Sequence, residues 1–332
     1  MENGGQNTKE MRVQEALREA LRYEMGRDPR VFVMGEDVAL FGGAYGVTRG
    51  LLQEFGDSRV RDTPISEAAI VGLAVGAAIN GMRPVVEIQF CDLLPLCMDQ
   101  LVTHAARYHY MTGGRISVPI VVRNKFGTRP GGGPSHSSCN HGAFIPFPGL
   151  KIIMPTTPAD AKGLLLSAMR DPNPVLCFEG HLLYGVKGPV PEGDYTVPIG
   201  KAAVRRPGKD LTIVTCGGMV LNVDVVAENL AAKGVDVEVI DLRSLAPLDT
   251  ETILTSVAKT KRAMIVDEGP VIGGLTAEIA AIIQEQLFSD LKAPVARVGA
   301  APIPPPHSGP LVEAMVPSIE RIEAEALRII GA

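Results

Sequence analysis

The chain has 332 residues, 46% apolar and 21% charged, which suits two packed domains and excludes a disordered protein. Its net charge of −5, with scattered basic residues and no tryptophan, argues against nucleic acid as the main partner. Five cysteines, odd in number and without ligand-like spacing, fit a reduced, cytoplasmic setting.

The opening MENGGQNTKE is polar, is neither a signal peptide nor an Arg-rich presequence, and belongs to a flexible start over residues 1–12. Helical periodicity follows in MRVQEALREALRYEMGRD, with Val13, Ala16, Leu17, Ala20 and Leu21 on one face. RVFVMGEDV predicts a short buried strand, the stretch from Thr63 to Met82 a helix, and RPVVEIQF another strand. The most apolar run, Ala68 to Ile79, is too short and too rich in Gly and Ala to span a membrane. A helix from about Leu94 to Tyr110 leads into the strand VPIVVRN.

KFGTRPGGGPSHSSCNHGAF then breaks the pattern, and a loop of this length inside an α/β domain points to function. LKIIMP, PADAKGLLLSAMRD and PVLCFEG restore strand, helix and strand. Residues 13–190 form a first domain, 191–210 a linker, and 211–332 a smaller second domain. In the latter, LTIVTC, DVEVIDL, AMIVDEG and VARVG alternate with helices, and the Pro-rich APIPPPHSGP precedes a last helix from about Val316 to Ile330. The expected fold is α/β, two domains, each a mostly parallel sheet covered by helices.

Walker A, HExxH, GxSxG and GxGxxG patterns are all missing, and TCGGM offers only a glycine pair suited to a tight turn. What stands out is Glu67, a carboxylate at the mouth of the apolar helix TPISEAAIVGLAVGAAINGMRP. An N-cap by Ser66 and the helix dipole account for an acid there. They do not account for Gly72 and Gly76, in register with Ala68, since each helical glycine costs about 1 kcal/mol relative to alanine. That bare face predicts close approach of another helix, with Glu67 at the rim.

Glu67, Gly72 and Gly76 in this spacing resemble the pyrimidine-domain motif of thiamine-diphosphate enzymes. GEDV, TPISE, DQL, YMTGG, SHSS, PGLKIIMP, LLYG, IGKA, DLRSLAPLDTETI and VDEG extend the similarity to the β subunit of 2-oxo acid dehydrogenase E1 components. It covers the chain from about Met11 to Ile330. The resemblance implies a pyrimidine-type domain followed by a transketolase C-terminal-like domain.

It further implies that Glu67 hydrogen-bonds the cofactor's aminopyrimidine and favours the imino tautomer, whose nitrogen then removes the thiazolium C2 proton. His136, in GGGPSHSS, matches a family histidine that assists substrate binding or proton transfer as the acyl group passes to a lipoyl group. Leu93 stands where many relatives have an aromatic residue against the pyrimidine, leaving an apolar wall without stacking. Glu36, Glu87 and Asp92 are expected in structural hydrogen bonds. Some relatives hold a structural K⁺ through backbone carbonyls, and the matching positions are Ile120, Ala168, Met169, Asp171 and Asn173.

No Gly-Asp-Gly segment for Mg²⁺ and diphosphate occurs. The family divides the site, with an α subunit holding both, so the resemblance implies an α₂β₂ heterotetramer with β–β contact through the C-terminal domain. The expected reaction is thiamine-dependent decarboxylation of a 2-oxo acid, pyruvate first, with acyl transfer to the lipoyl domain of an E2 acyltransferase. HLLYGVKGPVPEGDYTVPIGKA resembles acetoin-cleaving relatives, which makes acetoin the alternative substrate. A self-sufficient transketolase would need the missing Gly-Asp-Gly. A non-catalytic scaffold, the reading from another class, would have no use for Glu67 and His136.

Overall fold

The computed structural model describes residues 7–331, and the chain divides into two compact units. The first comprises Met1–Lys125 and Phe147–Ile199, the second Phe126–Pro146 and Gly200–Ala332.

In the first unit, β1 (Thr8–Arg12) pairs antiparallel with β8 (Lys187–Pro191), Met11 opposite Gly188. The start is therefore ordered from Thr8, because a ladder satisfies backbone groups that a free tail would leave to water. The central sheet contains β2 (Val31–Gly35), β3 (Val60–Asp62), β4 (Arg83–Phe90), β5 (Val121–Phe126), β6 (Lys151–Ile153) and β7 (Val175–Gly180). Their order is β6-β7-β5-β4-β2-β3. The paired registers are parallel, with Val33 beside Val85 and Val85 beside Val121. Apart from the edge strand β3, these strands are mostly buried, as parallel strands covered on both faces must be.

Helix Val13–Arg27 packs on helix Pro158–Arg170, and helix Glu67–Ile79 on β4. The expected single helix from Leu94 to Tyr110 is three pieces: a 3₁₀ turn at Cys91–Cys97, a π-helix at Asp99–Ala105 and a short α-helix at Tyr108–Met111. Pro95 is one cause, since it lacks the N–H a regular helix needs.

The second unit has β9 (Ala203–Arg206), β10 (Leu211–Thr215), β11 (Val237–Asp241), a short β12 (Ser244–Ala246), β13 (Ala263–Pro270) and β14 (Ala296–Ala300). Five of them form a sheet in the order β14-β13-β10-β11-β9, parallel except for β9. Leu211, Ile213, Val237, Val239, Met264 and Val266 build its core against helices Met219–Ala232 and Ile319–Ile330. β9 lies inside the stretch expected to be linker. A further helix, Gly309–Met315, precedes the last one.

The loop Phe126–Pro146, expected within the first domain, belongs to the second unit. The Thr128 N–H donates to Glu268 Oε1 at 2.6 Å, and His141 Nε2 lies 3.0 Å from Asp267 Oδ2. Buried polar partners, invisible to periodicity, decide where this loop packs.

Candidate active site

Glu67 begins its helix after Ser66, whose φ of −162° and ψ of 80° come with no side-chain capping bond. The capping role expected of Ser66 is thus unfilled. Glu67 is only 9% exposed, and among the described residues its carboxylate has no hydrogen-bond or salt-bridge partner.

Its charge is felt nearby. Burial lifts the Glu36 carboxyl above its ordinary value, and the charges of Asp37 and Glu67 add to this. The Cys97 thiol, fully buried, is pushed up to about 12 by burial and by Glu67. A thiol so held stays protonated and is no nucleophile. Leu93 is half-buried on the 3₁₀ turn Cys91–Cys97, which packs against the Glu67 helix.

The helix buries Ile70, Val71, Ala74, Val75 and Ala78 inside the unit. Its other face is bare. A Cβ added at Gly76 would meet nothing within 4 Å, and one at Gly72 only Gln100 Cγ at 3.6 Å. Leu73 is 64% exposed beside them. A cavity of about 340 Å³ runs along this face, lined by Gly72, Gly76, Ile79, Gln100 and Tyr108 among others. Its far wall draws on the π-helix, a form that recurs at functional sites. Among the described residues, the close packing expected of this face is thus absent.

The five carbonyl positions lie in the same unit. Ile120 O accepts the Val175 N–H at 2.9 Å, and Ala168 O that of Asp171 at 3.2 Å. Arg83 Nη1 donates to Met169 O at 2.8 Å and to Asp171 O at 3.2 Å. The Asn173 N–H donates to Asp171 Oδ1 at 2.9 Å. Residues 168–173 form one turn that already carries the Arg83 guanidinium, and Ile120 comes from a separate segment.

In the second unit, His136 is exposed on the glycine-rich loop, its Nδ1 2.8 Å from Ser135 Oγ. Five residues on, His141 is fully buried against Asp267. Burial opposes the imidazolium, yet Asp267 holds His141 above its ordinary value and is itself held below the usual carboxylate range. His141 is thus held in a buried ion pair.

A feature the sequence reading missed is a buried cluster on β4, β5 and β7. Arg123 donates through Nε and Nη2 to Glu179 at 2.6 and 2.8 Å, and through Nη1 to Glu87 Oε2 at 2.8 Å. Tyr184 Oη donates to Glu179 Oε2 at 2.8 Å. The available signal was a charged residue in the middle of each apolar strand, VVRN and VLCFEG. Glu87 is thus in the structural hydrogen bonding expected of it.

Residues 9–187 match the family model for the transketolase pyrimidine binding domain, and residues 200–322 that for the transketolase C-terminal domain. The chain is 46% identical over 318 residues to pyruvate dehydrogenase E1 component subunit beta-1, mitochondrial, of Arabidopsis thaliana, covering 95% of this chain and 88% of that one. It is 41% identical over 329 residues to the beta subunit of acetoin:2,6-dichlorophenolindophenol oxidoreductase of Bacillus subtilis, covering 96% of each. Against pyruvate dehydrogenase E1 component subunit beta of Rhizobium meliloti the identity is 44%, over 94% of this chain and 68% of that one. Among solved structures, a split gene transketolase described as an inactive β4 tetramer superposes with a TM-score of 0.78 at 22% identity, covering 98% of this chain and 99% of that one, a likeness of fold.

Proposed function

As the chain belongs to the β-subunit family of thiamine-diphosphate-dependent 2-oxo acid dehydrogenase E1 components, we propose that it supplies one half of a divided active site, completed by an α subunit. One observation carries this reading: a buried carboxylate without a partner, Glu67, opens a helix whose glycine face is uncovered. Both features are of use in a complex, and the two helical glycines are a cost to an isolated helix. The occupant proposed for that face is a small-residue helix of the α subunit in an α₂β₂ assembly.

Thiamine diphosphate, when bound, supplies the electron sink that 2-oxo acid decarboxylation requires. Glu67 fits its aminopyrimidine as the acid that holds a proton against a ring nitrogen. Leu93 walls the ring with apolar surface, at the expense of stacking. His136 assists the substrate or moves a proton as the acyl group leaves for the lipoyl group of an E2 acyltransferase. Diphosphate and Mg²⁺ fall to the α subunit, since this chain has no Gly-Asp-Gly segment. A K⁺ on the carbonyls of Ile120, Ala168, Met169, Asp171 and Asn173 belongs to the same reading. The donors fit in kind, each carbonyl having two lone pairs, while Arg83 already brings positive charge to two of them.

Pyruvate is the first substrate proposed. Acetoin is the second reading, favoured by the Bacillus subtilis relative that matches this chain end to end. Both yield a lipoyl-bound acetyl group. A cytoplasmic location completes the proposal, supported by five buried cysteines that are all free thiols. Among the described residues no helix is long and apolar enough to cross a membrane.

Calorimetry with thiamine diphosphate and Mg²⁺ tests the divided site, on this chain alone and on the chain co-expressed with an α subunit. Binding confined to the complex is the expected result. Tight binding by the isolated chain would overturn the division of labour, and none by a formed complex would leave only a scaffold.

A further inference from the structure

We propose that His307 is the positioning residue that fixes the His136 loop, an inference that rests on the role given to His136 above. His136 follows a run of three glycines in which Gly131 and Gly133 have φ of +77° and +62°. Few side-chain contacts tie such a segment down, so its placement has to come from outside the run.

Two braces are visible, both inside the second unit. From within the loop, Ser137 Oγ donates to Gly133 O at 2.7 Å, and the His136 N–H points to the same carbonyl at 3.5 Å. From across it, the Gly131 N–H donates to His307 O at 2.9 Å. The His307 ring then lies directly on Gly133. A Cβ added at Gly133 would fall 2.3 Å from both Cε1 and Nε2 of that ring. The carbonyl that receives the His136 N–H therefore belongs to the residue on which His307 sits.

Among the described residues the ring of His307 makes no hydrogen bond, so it acts by shape. Its own segment is stiff: Pro304, Pro305 and Pro306 come immediately before it, each with φ fixed near −65°. A rigid Pro-rich segment presses a flat ring onto a flexible glycine turn, and the catalytic candidate rides three residues further along. That gives the segment APIPPPHSGP, otherwise without a role, a task in the reaction.

The test compares His307→Ala, His307→Phe, Gly133→Ala and His136→Ala in the α/β complex with an isolated lipoyl domain as acceptor. Steady-state acyl transfer is read beside decarboxylation with an artificial electron acceptor. Misplacement of His136 by about 1 Å should lower kcat for acyl transfer roughly 10- to 100-fold in His307→Ala. The artificial-acceptor rate should stay within about twofold, on the same principle that only the acyl-transfer step is misaligned. His307→Phe, which keeps a flat ring, should restore acyl transfer. Gly133→Ala displaces the ring from the other side and should show the same selective loss even where His307→Ala folds poorly. An impaired His136→Ala beside normal His307→Ala and Gly133→Ala enzymes would overturn this proposal alone. A Phe variant no better than Ala would also overturn it. A normal His136→Ala enzyme would overturn the His136 assignment and this inference with it.

Discussion

Two buried carboxylates in the first unit are treated in opposite ways. Glu179, 2% exposed, receives two hydrogen bonds from Arg123 and one from Tyr184. Glu67, 9% exposed, receives none among the described residues. The first belongs to an architecture that is complete within the chain; burial alone would penalise Arg123, but Glu179 and Glu87 hold its guanidinium above its ordinary value. The second is unfinished. On the reading proposed above, the second acid is the one that meets a group from outside the chain.

Removing the charge that closes the complete site should have the largest effect. Arg123→Met leaves Glu179 and Glu87 facing each other in the core, and chemical denaturation should show a loss of about 3–5 kcal/mol. Glu67→Gln should reverse the pattern. Turnover of the α/β complex should fall by about 100-fold or more, on the order of 2.7 kcal/mol in the barrier, while the melting temperature is unchanged or higher. A parallel loss of activity and stability would erase the contrast between the two acids.

The His141–Asp267 pair sharpens the comparison through pH, because it too is closed. The folded His141 value lies above 6.5, so its contribution is full below that pH and is lost as pH rises through the folded value. The folded Asp267 value lies below 3.8, so its contribution is present above that pH and is lost as pH falls through the folded value. Thermal stability of the second unit should therefore plateau between roughly pH 4 and 6.5 and decline on both sides. In His141→Gln the alkaline decline should vanish, at lower overall stability.

Gly76→Leu is the mildest change to the chain itself. With nothing within 4 Å of an added Cβ, the helix gains about 0.5–1 kcal/mol in propensity, readable as a slightly raised melting point. Light scattering should nevertheless show the α/β complex lost, since the new side chain fills the groove. A variant that still assembles would remove the helix-docking proposal.

Much of the first comparison was legible beforehand. Glu67 at the head of a helix with glycines four apart is a local pattern, and the alternation of apolar strands with helices marked both sheets. Arg123 and Glu179 escaped, although each is an obvious charge inside an apolar strand, because 56 residues separate them and only the sheet brings them together. The helix from Leu94 to Tyr110 failed for a nearer reason: its periodicity is helical, but Pro95 and the π-turn break the α hydrogen-bond ladder.

By itself the sequence determined two α/β domains, the family, the lone acid at a helix mouth and the missing diphosphate half, because each is written in neighbouring residues through propensity, spacing or a motif. Only the tertiary structure decided that the loop Phe126–Pro146 packs with the C-terminal unit, that Glu67 is buried without a partner while Glu179 is saturated, and that His307 lies on Gly133. Those are matters of which distant side chain reaches which polar group, and periodicity holds no record of them.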